Sequence, residues 1–137
     1  MDFRFNEEQQ LWHETVHAFM DREVGIEYTR EHDASREFPH EAYQKIADRG
    51  WLGLLIPEEY GGLAADPIMY AIFCEAIAKY SLDFAAAIMT SMFTATNVAH
   101  HGSNEQRAKL KESVGNDPTA LGSLTERREA VLAARFQ

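Results

Sequence analysis

Apolar positions fall at helical spacing on both sides of a single continuous apolar run at residues 51–56. Ahead of the run, Asn6 followed by Gln9 reads as a capping box. Trp12, Val16, Phe19 and Glu23 share one helical face, with Leu11 and Met20 flanking it, which predicts a helix over 7–24 closed by Gly25. Residues 27–37 are highly charged and carry no period, so they read as a surface connection. Pro39 suits a first helical turn, and Tyr43, Ile46 and Ala47 form a short apolar stripe that Gly50 ends.

Beyond the run, Asp66 followed by Pro67 is an N-cap with proline at the first helical position. It opens a helix over 67–80 whose apolar positions are Ile68, Ile72, Phe73 and Ile77. Ser81 or Asp83 breaks and recaps the chain. No charged residue occurs from Phe84 to Ala99, so a helix there is expected to be surrounded on every side and to be the central one. His100-His101-Gly102 closes it, and Ser103 with Gln106 forms a second capping box for a helix to about residue 112. Residues 115–118 read as a turn. The fold class these elements predict is all-α, a helical bundle.

The run itself, GWLGLLIPEEYGGL, is too short to cross a membrane and belongs in a core. Gly50 can close the preceding helix in a left-handed cap. Pro57 stops the run, and Gly61-Gly62 makes a backbone position that side chains would forbid. It reads as a buried crossing between helical layers, pinned at both ends.

Composition narrows the function classes. The chain has 137 residues, suited to one domain, and 45% are hydrophobic, enough for a core. The formal net charge of −9 argues against nucleic acid as a partner. Cys74 is the single cysteine, so no internal disulfide forms and a reducing, cytoplasmic setting is expected. The first residues contain no apolar stretch of the signal-peptide kind. The uncharged stretch 84–99 falls short of a membrane span and contains Thr90, Ser91, Thr94, Thr96 and Asn97.

Several residues invite chemical readings. His13-Glu14-Thr15-Val16-His17 matches the zinc-hydrolase pattern of two histidines one turn apart with a glutamate to activate water. The helical wheel puts Glu14 away from the buried side and leaves the histidines at its polar edge, so no stoichiometric zinc is expected. His100 and His101 are adjacent and suit the free carbonyls of a helix C-terminus better than one metal. Cys74 reads as a small core residue and Glu75 as an exposed or helix-packing carboxylate. No glycine-rich phosphate loop is present.

The stretch GWLGLLIPEEYGGL resembles the signature joining two helices in the N-terminal domain of acyl-CoA dehydrogenases. FNEEQQLWHETVHAFMDREV and FPHEAYQKIADRG look like that domain's first helices, and EAIAKY and HHGSNEQRAKL like its later ones. The resemblance covers roughly residues 3–126 in order, far more than a short motif. It implies three segments: 1–117 as the N-terminal helical domain, 118–126 as the start of a flavin-binding β-domain, and an unmatched tail at 127–137.

The resemblance also implies a function. Family members dehydrogenate acyl-CoA thioesters at the α,β positions, FAD taking a hydride while a base removes the α-proton, and they are usually homo-oligomers. The FAD sits mainly on the middle and C-terminal domains, and the catalytic glutamate also lies beyond the N-terminal domain. By this resemblance Ala85, Met89 and Phe93 line the acyl tail. Methionine suits a flexible chain, and the bulk of Met89 and Phe93 points to a closed floor and a shorter or branched acyl group. Leu124 and Thr125 fall where the family begins its flavin contacts. Arg127 stands where the family has proline, and the Gly/Ser turn that follows there is missing. The residues from Arg127 onward are therefore expected to come from a shifted reading frame, and the chain alone is expected to be inactive. A non-catalytic helical interaction protein, or less readily a small zinc hydrolase using His13, Glu14 and His17, are the alternatives.

Overall fold

In a computed structural model, residues 4–116 are described, and they form six α-helices and no strand. These are α1 (Glu7–Phe19), α2 (Ile26–Ser35), α3 (His40–Asp48), α4 (Pro67–Ala78), α5 (Leu82–His101) and α6 (Asn104–Asn116). The all-α bundle is thus the fold.

The first capping box forms as the sequence dictates: the Gln9 amide N–H donates to Asn6 at 2.8 Å, and the Asn6 N–H donates to the Gln9 side chain at 3.1 Å. The helix does not run on as a regular α-helix to residue 24. Met20–Val24 is a π-helical turn, closed by Gly25 at φ 78°. The wider turn slips the helical phase, so Met20 is fully buried and Glu23, expected on the buried face, is exposed.

The expectation of a surface connection at 27–37 is overturned, because α2 spans most of it. Amphipathic periodicity misses this helix because only Thr29 is buried on it. Polar tethers hold it instead. The Thr29 hydroxyl donates to the Ile26 carbonyl at 3.0 Å and lies 3.3 Å from the Tyr80 carbonyl, and Ser81 donates to Asp33 at 2.7 Å.

Pro39 occupies the N-cap position of α3, one residue ahead of the first helical turn. Ala42, Tyr43, Ile46 and Ala47 bury the expected stripe, and Gly50 ends the helix region at φ 70°. The apolar run then enters the core as two tight turns, Trp51–Gly53 and Glu58–Tyr60. Trp51, Leu52, Leu54 and Ile56 are buried, and Trp51 packs edge-on against both Trp12 and Phe19. Backbone hydrogen bonds from Leu63, Ala64 and Ala65 to the Gly53, Ile56 and Leu54 carbonyls fold the chain back on itself. A β-carbon on Gly62 would lie 2.0 Å from the Ile56 carbonyl oxygen, which is why glycine is required there.

Asp66 caps α4 through the N–H groups of Ile68 and Met69, and Pro67 takes the first position. Ile72, Phe73 and Ile77 are buried as expected, but Ile68 is largely exposed. Ser81, not Asp83, caps α5 by accepting from the Phe84 N–H.

The expectation that α5 is surrounded fails on one side. Phe84, Ala85, Ile88, Ser91, Met92, Ala95 and Ala99 are buried, while Leu82, Ala86, Thr90, Phe93 and Asn97 are exposed. Among the described residues nothing covers that second face. The helix nonetheless sits centrally, packed on α4, on α6 and on the turn at 51–53. No helix among the described residues is long and apolar enough to cross a membrane.

Candidate functional site

The turn after α4 is only three residues long, so α5 folds back along α4. This brings the Tyr70 ring to 5.7 Å from Phe93, tilted by 57°. The predicted positions Ala85, Met89 and Phe93 lie at four-residue steps along α5 and therefore share one stripe. The structure distributes them across a boundary. Ala85 is buried in the core at 1% exposure, Met89 is half-buried, and Phe93 is exposed at 46%. The stripe thus climbs from core to open face.

Tyr70 was not legible as part of this group. Its only sequence signal is its place one turn ahead of Cys74, on the side of α4 that turns to α5. Its hydroxyl is closed off from solvent and has no hydrogen-bond partner at normal distance. Burial, together with the neighbouring Cys74 thiol, pushes its ionisation well above the ordinary phenol range. Burial likewise pushes the Cys74 thiol up, against the opposing pull of Tyr70. A thiol held protonated is a poor nucleophile, consistent with a packing role.

The open face of α5 carries no charge between Ala86 and Asn97. The Thr90 hydroxyl is used internally, donating to the Ala86 carbonyl at 2.8 Å. Such a face fits an apolar chain or an apolar neighbour. It does not fit the pyrophosphate of a flavin, which needs several convergent donors or cations. Leu124 and Thr125, the expected flavin contacts, lie outside the described residues, as do the segments 118–126 and 127–137.

The histidine motif sits on α1. The His13 and His17 rings are 4.3 Å apart between centroids, but Glu14 is exposed and accepts from Gln10 at 2.9 Å. Among the described residues no three His, Cys, Asp or Glu side chains are grouped to hold a metal ion. Glu75 is exposed. His100 and His101 lie in the last turn of α5, where the His100 carbonyl accepts from Arg107 at 3.1 Å.

A second polar cluster was not anticipated. At the π turn of α1 the Tyr80 hydroxyl donates to the Asp21 carboxylate. Burial and that carboxylate raise the phenol to about 12. The Lys79 ammonium lies 5.8 Å from the Tyr80 ring centroid, and a shallow cleft of about 290 Å³ opens between Asp21, Gly25, Ile26, Lys79 and Tyr80. His17 lies one turn before Asp21. Its pKa is lowered by burial first and then by His13 and Lys79, against the opposing Glu75 and Asp21.

The family described as acyl-CoA dehydrogenase, N-terminal domain, matches residues 6–114. The chain is 33% identical over 132 residues to a probable acyl-CoA dehydrogenase, YngJ, of Bacillus subtilis (strain 168), covering 92% of this chain and 33% of that protein. It is 31% identical over 125 residues to a 3-(aryl)acrylate reductase of Clostridium sporogenes (strain ATCC 15579), covering 89% of this chain and 33% of that one. It is also 31% identical over 112 residues to a short-chain-specific acyl-CoA dehydrogenase of Clostridium acetobutylicum, covering 80% and 29%. No solved structure matches. The chain spans about one third of the length of these curated relatives. With the family's domain matched from the first capping box into α6, on an all-helical bundle, this chain belongs to the acyl-CoA dehydrogenase family and carries its N-terminal helical domain.

Proposed function

We propose that this domain walls the acyl pocket of an FAD-dependent acyl-CoA dehydrogenase, and that it does so with the open face of α5. The observation that supports this reading is the uncharged, uncovered strip of α5 with Phe93 and half-buried Met89 at its α4 edge. An apolar strip of this kind costs free energy in water unless something covers it. An acyl chain on one part and neighbouring domains on the rest would cover it. Bound flavin would supply the hydride acceptor. The described residues of this chain contribute shape and exclusion of water, and none of them supplies the α-proton base.

The domain alone is therefore inactive, and acyl-CoA, the flavin and any homo-oligomeric contacts belong to a longer protein. A cytoplasmic setting fits the single cysteine. The acyl group is short or branched, because the bulk of the Met89 and Phe93 side chains would close the floor of such a pocket.

The test joins this domain to the flavin-binding remainder of the Bacillus relative and compares acyl-CoA substrates of increasing length. Phe93→Ala and Met89→Ala should move the preference toward longer chains. Each methylene newly accommodated is worth roughly 1–3 kcal/mol, about tenfold or more in relative kcat/KM. An unchanged length preference in an active, flavin-loaded protein would remove α5 from the pocket.

A further inference from the structure

We propose that Tyr70 is a specificity-determining residue of the acyl pocket, its hydroxyl set to donate to a neutral oxygen at the far end of the acyl group. This rests on the reading that the α5 stripe borders that group. It narrows the substrate class to acyl-CoA thioesters whose acyl chain ends in a hydroxyl, ether or carbonyl oxygen.

The side chain is placed the wrong way round for a packing residue. A tyrosine near a protein surface ordinarily buries its ring and turns its oxygen to water, or finds a partner for that oxygen inside. Tyr70 does neither. Its ring is only partly buried, packed on the core and 5.7 Å from Phe93. Its oxygen is shut off from solvent and has no hydrogen-bond partner among the described residues. Cys74, one turn further along α4, offers at most a weakly accepting sulfur. Phenylalanine would fill the same space without stranding a hydroxyl. A donor held unpaired here at a cost in stability points to a use for it.

The surroundings define what it takes. On α5 the Thr90 and Thr94 hydroxyls already donate to the Ala86 and Thr90 carbonyls, at 2.8 and 2.9 Å. No charged residue lies between Ala86 and Asn97, so this face offers no cation to a carboxylate. A neutral oxygen meets no such demand. Phe93 flanks Tyr70 and is 46% exposed, so a change of its rotamer opens the way from the stripe to the hydroxyl.

The experiment uses the fusion to the flavin-binding remainder of the Bacillus relative. Butyryl-, hexanoyl- and octanoyl-CoA are each set against the isostere whose terminal methyl is replaced by a hydroxyl. At one of these lengths the fusion should use the hydroxylated member at least as well as its hydrocarbon isostere, which a purely apolar floor would disfavour. Tyr70→Phe should then lower kcat/KM for the hydroxylated member about tenfold more than for the isostere. A merely structural tyrosine would move both alike. In the 137-residue chain itself, Tyr70→Phe should not lower the thermal midpoint, because the hydroxyl it removes makes no bond there. Discrimination against the hydroxyl at every length, equal losses on both members, or a midpoint lowered by several degrees each overturns the assignment. Phe93→Ala separates the two readings. If it shifts the length preference while Tyr70→Phe affects both members equally, only the Tyr70 assignment falls. If it leaves the length preference unchanged in an active, flavin-loaded fusion, the acyl-pocket reading falls and the Tyr70 assignment with it.

Discussion

Single residues at the connections decide whether this bundle closes. Asp66 caps α4 and also receives the Gln9 amide, so it ties a helix start to a neighbouring helix. Its carboxyl is held below the ordinary value of 3.8, first by the Met69 N–H and then by the Gln9 amide and the Ile68 N–H, with slight burial opposing. The stabilisation it provides is fully present above pH 3.8 and is lost as the pH falls through its folded pKa. Asp66→Ala should cost about 1 kcal/mol at neutral pH, read from denaturant midpoints. Asp66→Asn should keep most of the cap while flattening that acid dependence. Gly62 is the other such residue. Gly62→Ala drives a β-carbon into the Ile56 carbonyl and should destabilise by on the order of 3 kcal/mol, or prevent folding of the 51–65 segment. Little change in the thermal midpoint would show that this backbone yields.

At the scale of elements, what the sequence revealed depended on how each helix is held. Helices bounded by capping boxes or by Asp-Pro were legible, because their start signals are local chemistry: α1, α4 and α6 begin where Asn6, Asp66 and Ser103 put them. The buried run was legible because nothing but a core accepts five apolar side chains in six positions. α2 was not, because it buries only Thr29 and is tethered by hydrogen bonds to residues some fifty positions away. No local pattern encodes such a partner. Thr29→Val should therefore loosen α2 selectively, costing about 1 kcal/mol for the lost bonds. Faster exchange should be confined to residues 26–35, and exchange spread evenly over the bundle would contradict this. The open side of α5 was misread for a different reason. An uncharged helix tells only that no side tolerates water well, and cannot tell which side is covered by this chain and which by something else. Of the candidate site, the Ala85–Met89–Phe93 stripe came from family resemblance. Tyr70, which sits against Phe93, needed the fold-back of α4 onto α5 to be seen.

At the scale of the whole molecule, the described residues form a helical bundle that leaves one face of α5 uncovered. The core is complete around the turns at 51–60, and the aromatic cluster of Trp12, Phe19, Trp51 and Phe73 binds α1 to α4 through the apolar run. The strip on α5 and the exposed Leu63 and Ile68 are left uncovered by the described residues, and in the reading proposed here neighbouring domains cover them. The purified chain should consequently bind no flavin and reduce no electron acceptor with any acyl-CoA, and a yellow, active preparation would refute the division of labour proposed here. The most direct test uses the fusion to the flavin-binding remainder of the Bacillus relative, and measures hydrogen exchange with and without a non-reactive acyl-CoA thioether. The account predicts new protection centred on residues 86–97, strongest near Met89 and Phe93. Protection that appears elsewhere in the fusion while this segment of α5 stays unchanged would contradict it.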